Sequence, residues 1–197
     1  FLCCFFVYLW NSQTTTGNNM DKKYILSELF TIIPAEHYTP QQGKAALQEQ
    51  FALQGEYIYG RYDFPKANAV VAYAVPQEEA DKNGTEGEMP YPLVAWMLEE
   101  AIQIPHFNKV VFHYSTAKKI SHIVIATGDG LKLANSFKAD SFESALYFLF
   151  LSIQQLQMNP RQCIVRVCSE TTQQQEETFA RFFNGIEKDN REDIIQK

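Results

Sequence analysis

Between residues 108 and 185 the apolar positions change period in a regular way. Residues 110–114, 120–127 and 131–137 are short runs rich in Val, Ile and aromatics, each bounded by polar or turn-forming residues, and each predicts a strand. Residues 115–118 make the first turn. Gly128-Asp129-Gly130 makes the second, because Asp-Gly accepts the positive φ angles of a type I′ turn. An antiparallel meander of three strands is the expectation. A helix follows from Asp140 or Ser141, with Glu143 placed to complete a capping box for Asp140. It carries the unbroken apolar run 145–151. A helix that is apolar nearly all round is covered on several sides, so this one is expected between a sheet and another layer. Asn159-Pro160 ends it, residues 163–168 read as a fourth strand, and Ser169 caps a last helix that stops at Asn184-Gly185. The residues from Glu187 onward read as a charged, frayed tail.

The front of the chain gives weaker periodicity. Residues 29–33 predict a strand that stops at Pro34. Thr39-Pro40-Gln41-Gln42 starts a helix: Thr39 can cap, Pro40 suits the first helical position, and Gln42 sits where a capping box needs it. That helix is expected to reach Leu53 and end at Gly55. Residues 57–59 suggest a strand piece broken by Gly60, and residues 67–75 a buried strand ended by Pro76. Residues 77–89 are acidic, with Asn83-Gly84 as a turn signal, and read as a mobile linker. Pro92 then opens a helix with Leu93, Met97, Ala101 and Ile104 at helical spacing, closed by Pro105. Trp96 and Met97 on it are expected in the core. The domain division that follows is a partial first subdomain over 20–76, a polar linker over 77–90, a second subdomain over 91–186 and a tail over 187–197.

The first residues stand apart. The chain begins with Phe1, and residues 1–10 are apolar and uncharged but shorter than the roughly 20 residues a membrane span requires. No basic region precedes them, and the Thr/Asn tract after them offers a poor signal-peptide cleavage site. The expectation is a buried strand or sequence outside the natural reading frame, with residues 1–19 non-native or poorly ordered and Met20 as the natural start. The remnant of a membrane anchor is the competing reading, and the only one that would bring in a membrane.

Composition narrows the partners. At 46% hydrophobic and 20% charged residues, the chain can bury a sizeable core. Its net charge is −6, its pI is about 5.2, and it has no Lys/Arg-rich run, which argues against a nucleic-acid footprint. Cys3 and Cys4 are neighbours, while Cys163 and Cys168 flank one strand and should point to opposite faces. Neither they nor His37, His106, His113 and His122 show metal-ligand spacing. Four ordinary thiols in a reducing, cytoplasmic compartment are expected.

Strand, strand, strand, helix, strand, helix is the succession of the ribonuclease H-like fold, which actin-like ATPases contain twice. Three stretches sharpen that likeness: Leu29-Phe30-Thr31-Ile32-Ile33-Pro34, the hairpin Asp129-Gly130-Leu131-Lys132-Leu133-Ala134-Asn135-Ser136-Phe137, and Tyr147-Phe148-Leu149-Phe150. With them the chain resembles an uncharacterised bacterial family, a "domain of unknown function" family with an actin-like ATPase fold, over roughly residues 24–185. The resemblance implies an α/β chain with a C-terminal βββαβα unit and an incomplete N-terminal subdomain, because members begin with a further meander and helix. The family has no established activity, so the resemblance implies a fold more than a function; no cofactor is expected from it, and ATP with magnesium is the ligand the fold would bring in.

The residues themselves do not supply that chemistry. An actin-like ATPase needs small residues in the turn between the first two strands of each half, so that backbone amides reach the phosphates, and an acid there to hold the metal through water. In this half the turn is Ser115-Thr116-Ala117-Lys118, without Gly or Asp. Gly128-Asp129-Gly130 falls one hairpin too late, and the glycine pair that lies beside the adenosine is missing near 169–172. A ribonuclease H-type nuclease needs clustered acids starting on the first strand, and residues 110–114 hold none. No Gly-x-Ser-x-Gly elbow marks a hydrolase. His113 and His122 could face each other across adjacent strands, as packing more than catalysis. No catalytic, cofactor or metal residue is therefore assigned. The expectation is a non-catalytic actin-like scaffold or protein-binding module, with a homodimer as one form it could take. The alternative is an ATP-binding protein whose phosphate turns lie mainly in the N-terminal portion that the resemblance implies is missing.

Overall fold

Ile, Val and aromatic runs set at strand spacing build a three-stranded and a five-stranded sheet, each in its own unit and each packed with helices, beside one two-stranded pair. The computed structural model describes residues 24–83 and 90–189. Residues 1–10 with Cys3 and Cys4, the start at Met20, Gly84 of the Asn83-Gly84 signal and the chain beyond Asp189 lie outside the described residues. The described chain divides between Ala95 and Trp96 into two compact units.

The first unit begins with β1 (Tyr24–Ile25), β2 (Phe30–Pro34), α1 (Pro40–Phe51), β3 (Tyr57–Phe64), β4 (Ala69–Pro76), α2 (Gln77–Asn83) and β5 (Tyr91–Pro92). Sheet order is β2-β4-β3, antiparallel throughout, and β1 pairs in parallel with β5. Thr39 caps α1 as expected, its Oγ1 accepting the Gln42 N–H at 3.2 Å. Leu47 of α1 packs against Ala72 and Ala74 of β4. Gly60 does not break β3. It pairs with Tyr73 in an unshifted register, because a central strand on one side fixes the alignment whatever the side chain. The expected linker also needs correction: residues 77–83 are helical. Gln77 donates to Asp81 one turn on, at 2.8 Å, and Ala80 is buried, so the acidic residues are the solvated side of a short helix.

Helix α3 (Leu93–Gln103) leads into the second unit, with β6 (Asn108–Ser115), β7 (Ile120–Thr127), β8 (Gly130–Lys138), α4 (Phe142–Gln155), β9 (Cys163–Val167), α5 (Gln173–Phe182) and β10 (Gly185–Lys188). Leu93, Trp96, Met97, Ala101 and Ile104 are all buried. The sheet order is β10-β9-β6-β7-β8. The β6–β8 meander is antiparallel, while β9 runs parallel to β6 and β10 to β9. The βββαβα succession is therefore present, with one strand more than expected. Strand β10 replaces the supposed fray from Glu187. Ile186 packs on the core, and the charged residues beside it are paired: Glu187 with Arg166, and Lys188 with Glu176 at 2.7 Å.

Alternation along this sheet defines two faces. Val110, Phe112, Tyr114, Ile123, Ile125, Cys163, Val165 and Val167 form one core with α4 and α5. Phe112 is its centre, edge-on to Phe142 and Phe179 at centroid distances of 6.4 and 5.5 Å. Helix α4 is not covered on all sides. Phe142, Ala145, Leu146, Leu149 and Ile153 are buried, but Tyr147 is 62% exposed. The apolar residues off the buried stripe are half-covered by other rings instead: Phe148 stacks on Phe137 of β8 at 4.8 Å, and Phe150 meets Phe182 at 5.1 Å.

Local details also depart from expectation. The positive φ in the β7–β8 hairpin falls on Gly130 (126°) rather than on the two central residues, and β8 carries a register shift beside Ile125/Ala126. This is not the type I′ turn that Asp-Gly suggests. Ser141, not Asp140, caps α4, accepting the Ser144 N–H at 3.2 Å. Ser169 is used across the sheet, accepting the Tyr114 N–H, and Thr172 caps α5 in a reciprocal box with Gln175.

Candidate functional site

Three groups of polar residues in the second unit could bear chemistry. The first is the β6–β7 turn, the position at which an actin-like half holds phosphate. Ser115 Oγ accepts the Lys118 N–H at 3.2 Å, closing the turn on itself. Residues 116–119 are exposed, and Lys119 takes a left-handed φ of 53°. The Lys119 ammonium reaches Asp140 at 3.2 Å, with both groups in solvent. The turn thus ends in two lysines, and Asp140 is engaged by one of them. Asp140 and Glu143 lie at the start of α4, where Glu143 is held below the usual carboxylate range by its backbone N–H and then by Ser141.

The second group is on the sheet face away from α4 and α5. His113 and His122 are directly opposite in register, their ring centroids 5.7 Å apart, and both are buried. Burial, and then the neighbouring His122, push His113 down to about 3. Its Nδ1 meets no hydrogen-bond partner among the described residues. Two buried histidines facing each other across adjacent strands read as packing, and His113 has a consequence for stability. Unfolded, His113 takes a proton near its ordinary value of about 6.5. Folded, it stays neutral, so its contribution is fully present above about pH 6.5 and is lost as pH falls toward its folded value. Urea unfolding should therefore show stability dropping by up to about 1.4 kcal/mol per pH unit between pH 6.5 and 5. A His113→Leu chain should show a shallower slope, and equal slopes in both proteins would contradict the assignment.

The third group escaped sequence reasoning. Arg166 of β9 is bracketed by Glu100 of α3 and Glu187 of β10. Its Nη1 donates to Glu100 in a short contact, and its Nε and Nη2 both donate to Glu187, at 3.0 and 2.7 Å. The Arg166 and Glu100 side chains are 16% and 10% exposed. The signal was readable: Arg166 is the one charge within Ile164-Val165-Arg166-Val167-Cys168, and a charge in an apolar strand is seldom buried unless paired. Three of its five N–H donors serve these two carboxylates, and the side chain is mostly buried between three elements, so this is a structural pin.

The other candidates resolve as structure. Gly128-Asp129 is a hairpin tip. A Cβ on Gly128 would lie 2.5 Å from the Phe107 ring, and the Asp129 N–H is taken by Thr127 Oγ1 at 3.2 Å. Cys163 and Cys168 are both buried, and burial pushes the Cys163 thiol up to about 11, where it is no nucleophile. Among the described residues no three His, Cys, Asp or Glu side chains gather in a way that could hold a metal ion. No helix among them is long and apolar enough to cross a membrane.

A family model described as "Protein of unknown function (DUF3822)" matches residues 24–184. Among solved structures, the chain is similar to a protein of Bacteroides thetaiotaomicron described as having an actin-like ATPase fold and unknown function. The TM-score is 0.68 at 17% identity, covering 83% of this chain and 66% of that one. The chain therefore spans just under two thirds of that protein's length. No curated protein matches. At this identity the likeness carries the fold alone, and the fold is that of the actin-like ATPases.

Proposed function

This chain belongs to the DUF3822 family of proteins of unknown function, and from that premise we propose that it is a non-catalytic actin-like scaffold that binds protein. One observation carries the reading. The β6–β7 turn, where this fold would receive phosphate, is Ser115-Thr116-Ala117-Lys118-Lys119, with no carboxylate to hold a metal's water shell. Asp140 is tied to Lys119. The acidic balance of the chain fits protein rather than nucleic-acid partners, and a cytoplasmic setting is part of the same proposal.

Phosphate release from magnesium-ATP by the purified protein tests this directly. The expected rate is that of buffer alone. Turnover that rises with protein concentration and disappears in a Lys118→Ala, Lys119→Ala chain would overturn it.

A second reading, a nucleotide-binding protein whose phosphate contacts come from elsewhere, is favoured by one fact: about a third of the similar structure has no counterpart in the match. Binding of magnesium-ATP without turnover, unaffected by changes at residues 115–119, would favour that reading.

A further inference from the structure

Two large rings stand in solvent on the helical face of the second unit. Tyr147 of α4 is 62% exposed and Phe182 of α5 is 41% exposed. Phe150 links them: it follows Tyr147 by one turn and meets Phe182 at 5.1 Å. No charged residue lies between Glu143 and Arg161. Exposed aromatic surface of this kind marks contact sites more often than it is left in water. The charges around it are divided by helix end. Glu143 and Glu176 lie in the first turns of α4 and α5, and Glu177 follows; Arg181 lies in the last turn of α5, and Arg161 comes after α4. Glu177 and Arg181 are both exposed, yet they do not pair with each other. Glu177 accepts from Gln173 at 3.1 Å, and Arg181 meets no acid among the described residues. The direction of the helices follows from the sheet. Helix α4 returns the chain from β8 to β9 and α5 from β9 to β10, and these three strands are parallel, so both helices run the same way. The contact of Phe150 with Phe182 then puts Tyr147 and Phe179, each three residues earlier, at about the same level.

We propose that this face packs on the same face of a second copy of this chain, with the helices antiparallel, about a twofold axis that crosses both helices at the level of Tyr147 and Phe179. Charge complementarity selects this occupant and this axis. A twofold contact sets a patch against itself. Helix α4 therefore lies over α4, and Tyr147 meets Tyr147 of the second copy, each ring beside the shallow cleft lined by Glu143, Ser144 and Phe148. Helix α5 lies over α5. Phe179 is buried beneath, and Glu177 and Arg181 stand two residues to either side of it on the solvent side. Glu177 of each copy then faces Arg181 of the other, twice per dimer. Glu143 and the Lys119–Asp140 pair meet the uncharged second half of α4, where Gln154 and Gln155 are exposed. An axis along the helices would instead lay α4 over α5 with like ends together. That would bring Glu143 beside Glu176, a like-charge approach that disfavours the alternative. The dimer stands apart from the scaffold reading, since a nucleotide-binding protein could associate in the same way.

Sedimentation velocity from micromolar to hundreds of micromolar concentration tests this, with the unaltered chain and the charge variants Glu177→Arg, Arg181→Glu and the two combined. The expected result is a concentration-dependent dimer. Each single reversal creates two like-charge contacts and should weaken it roughly tenfold or more, and the combined variant should restore it. Melting curves establish that each variant is folded. If a reversal does not fold, Tyr147→Asp takes its place: it sets two carboxylates at the axis and should weaken the dimer at least as much. A monomer at every concentration of the unaltered chain overturns the proposal. So does a dimer of equal strength in all the variants, or a combined variant as weak as the single ones, since either would place the interface elsewhere.

Discussion

Replacing Arg166 by methionine is expected to cost about 3–5 kcal/mol, the range for removing one member of a buried ion pair. The side chain serves two carboxylates at once, Glu100 from α3 and Glu187 from β10, and the Glu100 carboxylate is nearly out of solvent. Methionine fills the space but leaves both acids facing an apolar strand. For a chain of this size the melting temperature should fall by roughly 6–12 °C for a loss of about 3 kcal/mol. The mechanism has its own control. Combining Arg166→Met with Glu100→Gln removes the buried charge that Arg166 faces, and most of the loss should return. If the pair of changes were as damaging as the sum of the single ones, the harm would come from packing and not from charge.

Phe112→Ala should be about as severe, at about 3–5 kcal/mol. Its ring is fully buried at the crossing point of the sheet with α4 and α5, edge-on to Phe142 and Phe179, which also meet each other at 5.8 Å. Truncation opens a cavity between three elements that are each anchored elsewhere, so the site has little freedom to collapse. Chemical denaturation should show a lower midpoint with an unchanged slope. Phe112→Leu, which keeps most of the volume, should lose much less. Equal losses for alanine and leucine would mean that the ring edges, and not the filled space, matter most.

Why some of this was legible in the sequence, and some not, follows from where each element gets its stability. The β6–β8 meander could be read because its strands are runs of β-branched and aromatic residues set apart by turn residues. The turn type could not be read, because Gly-Asp-Gly supplies two glycines and only the structure shows which one takes the positive φ. Helix α1 announced itself through Thr39 and Pro40, and α3 through its spacing and Pro105. Strand β10 was invisible, since Glu187 and Lys188 look like a solvated tail until Arg166 and Glu176 are seen beside them. The two-residue pair β1–β5 left no periodic trace. Helix α4 misled for a different reason: its run of apolar residues is shielded by rings from β8 and α5, not by a second layer on every side. Of the candidate site, the facing of His113 and His122 was legible from strand register. The Arg166 bracket needed the crossing of three elements that lie far apart in sequence.

Thermal melting with and without millimolar magnesium-ATP tests the central claim most directly, because it asks for binding and not turnover. A ligand that binds only the folded state at a hundredfold over its Kd adds about 2.7 kcal/mol of stability. The account predicts superimposable curves. A melting temperature that climbs with nucleotide concentration, and falls back when the nucleotide is withdrawn, would contradict it.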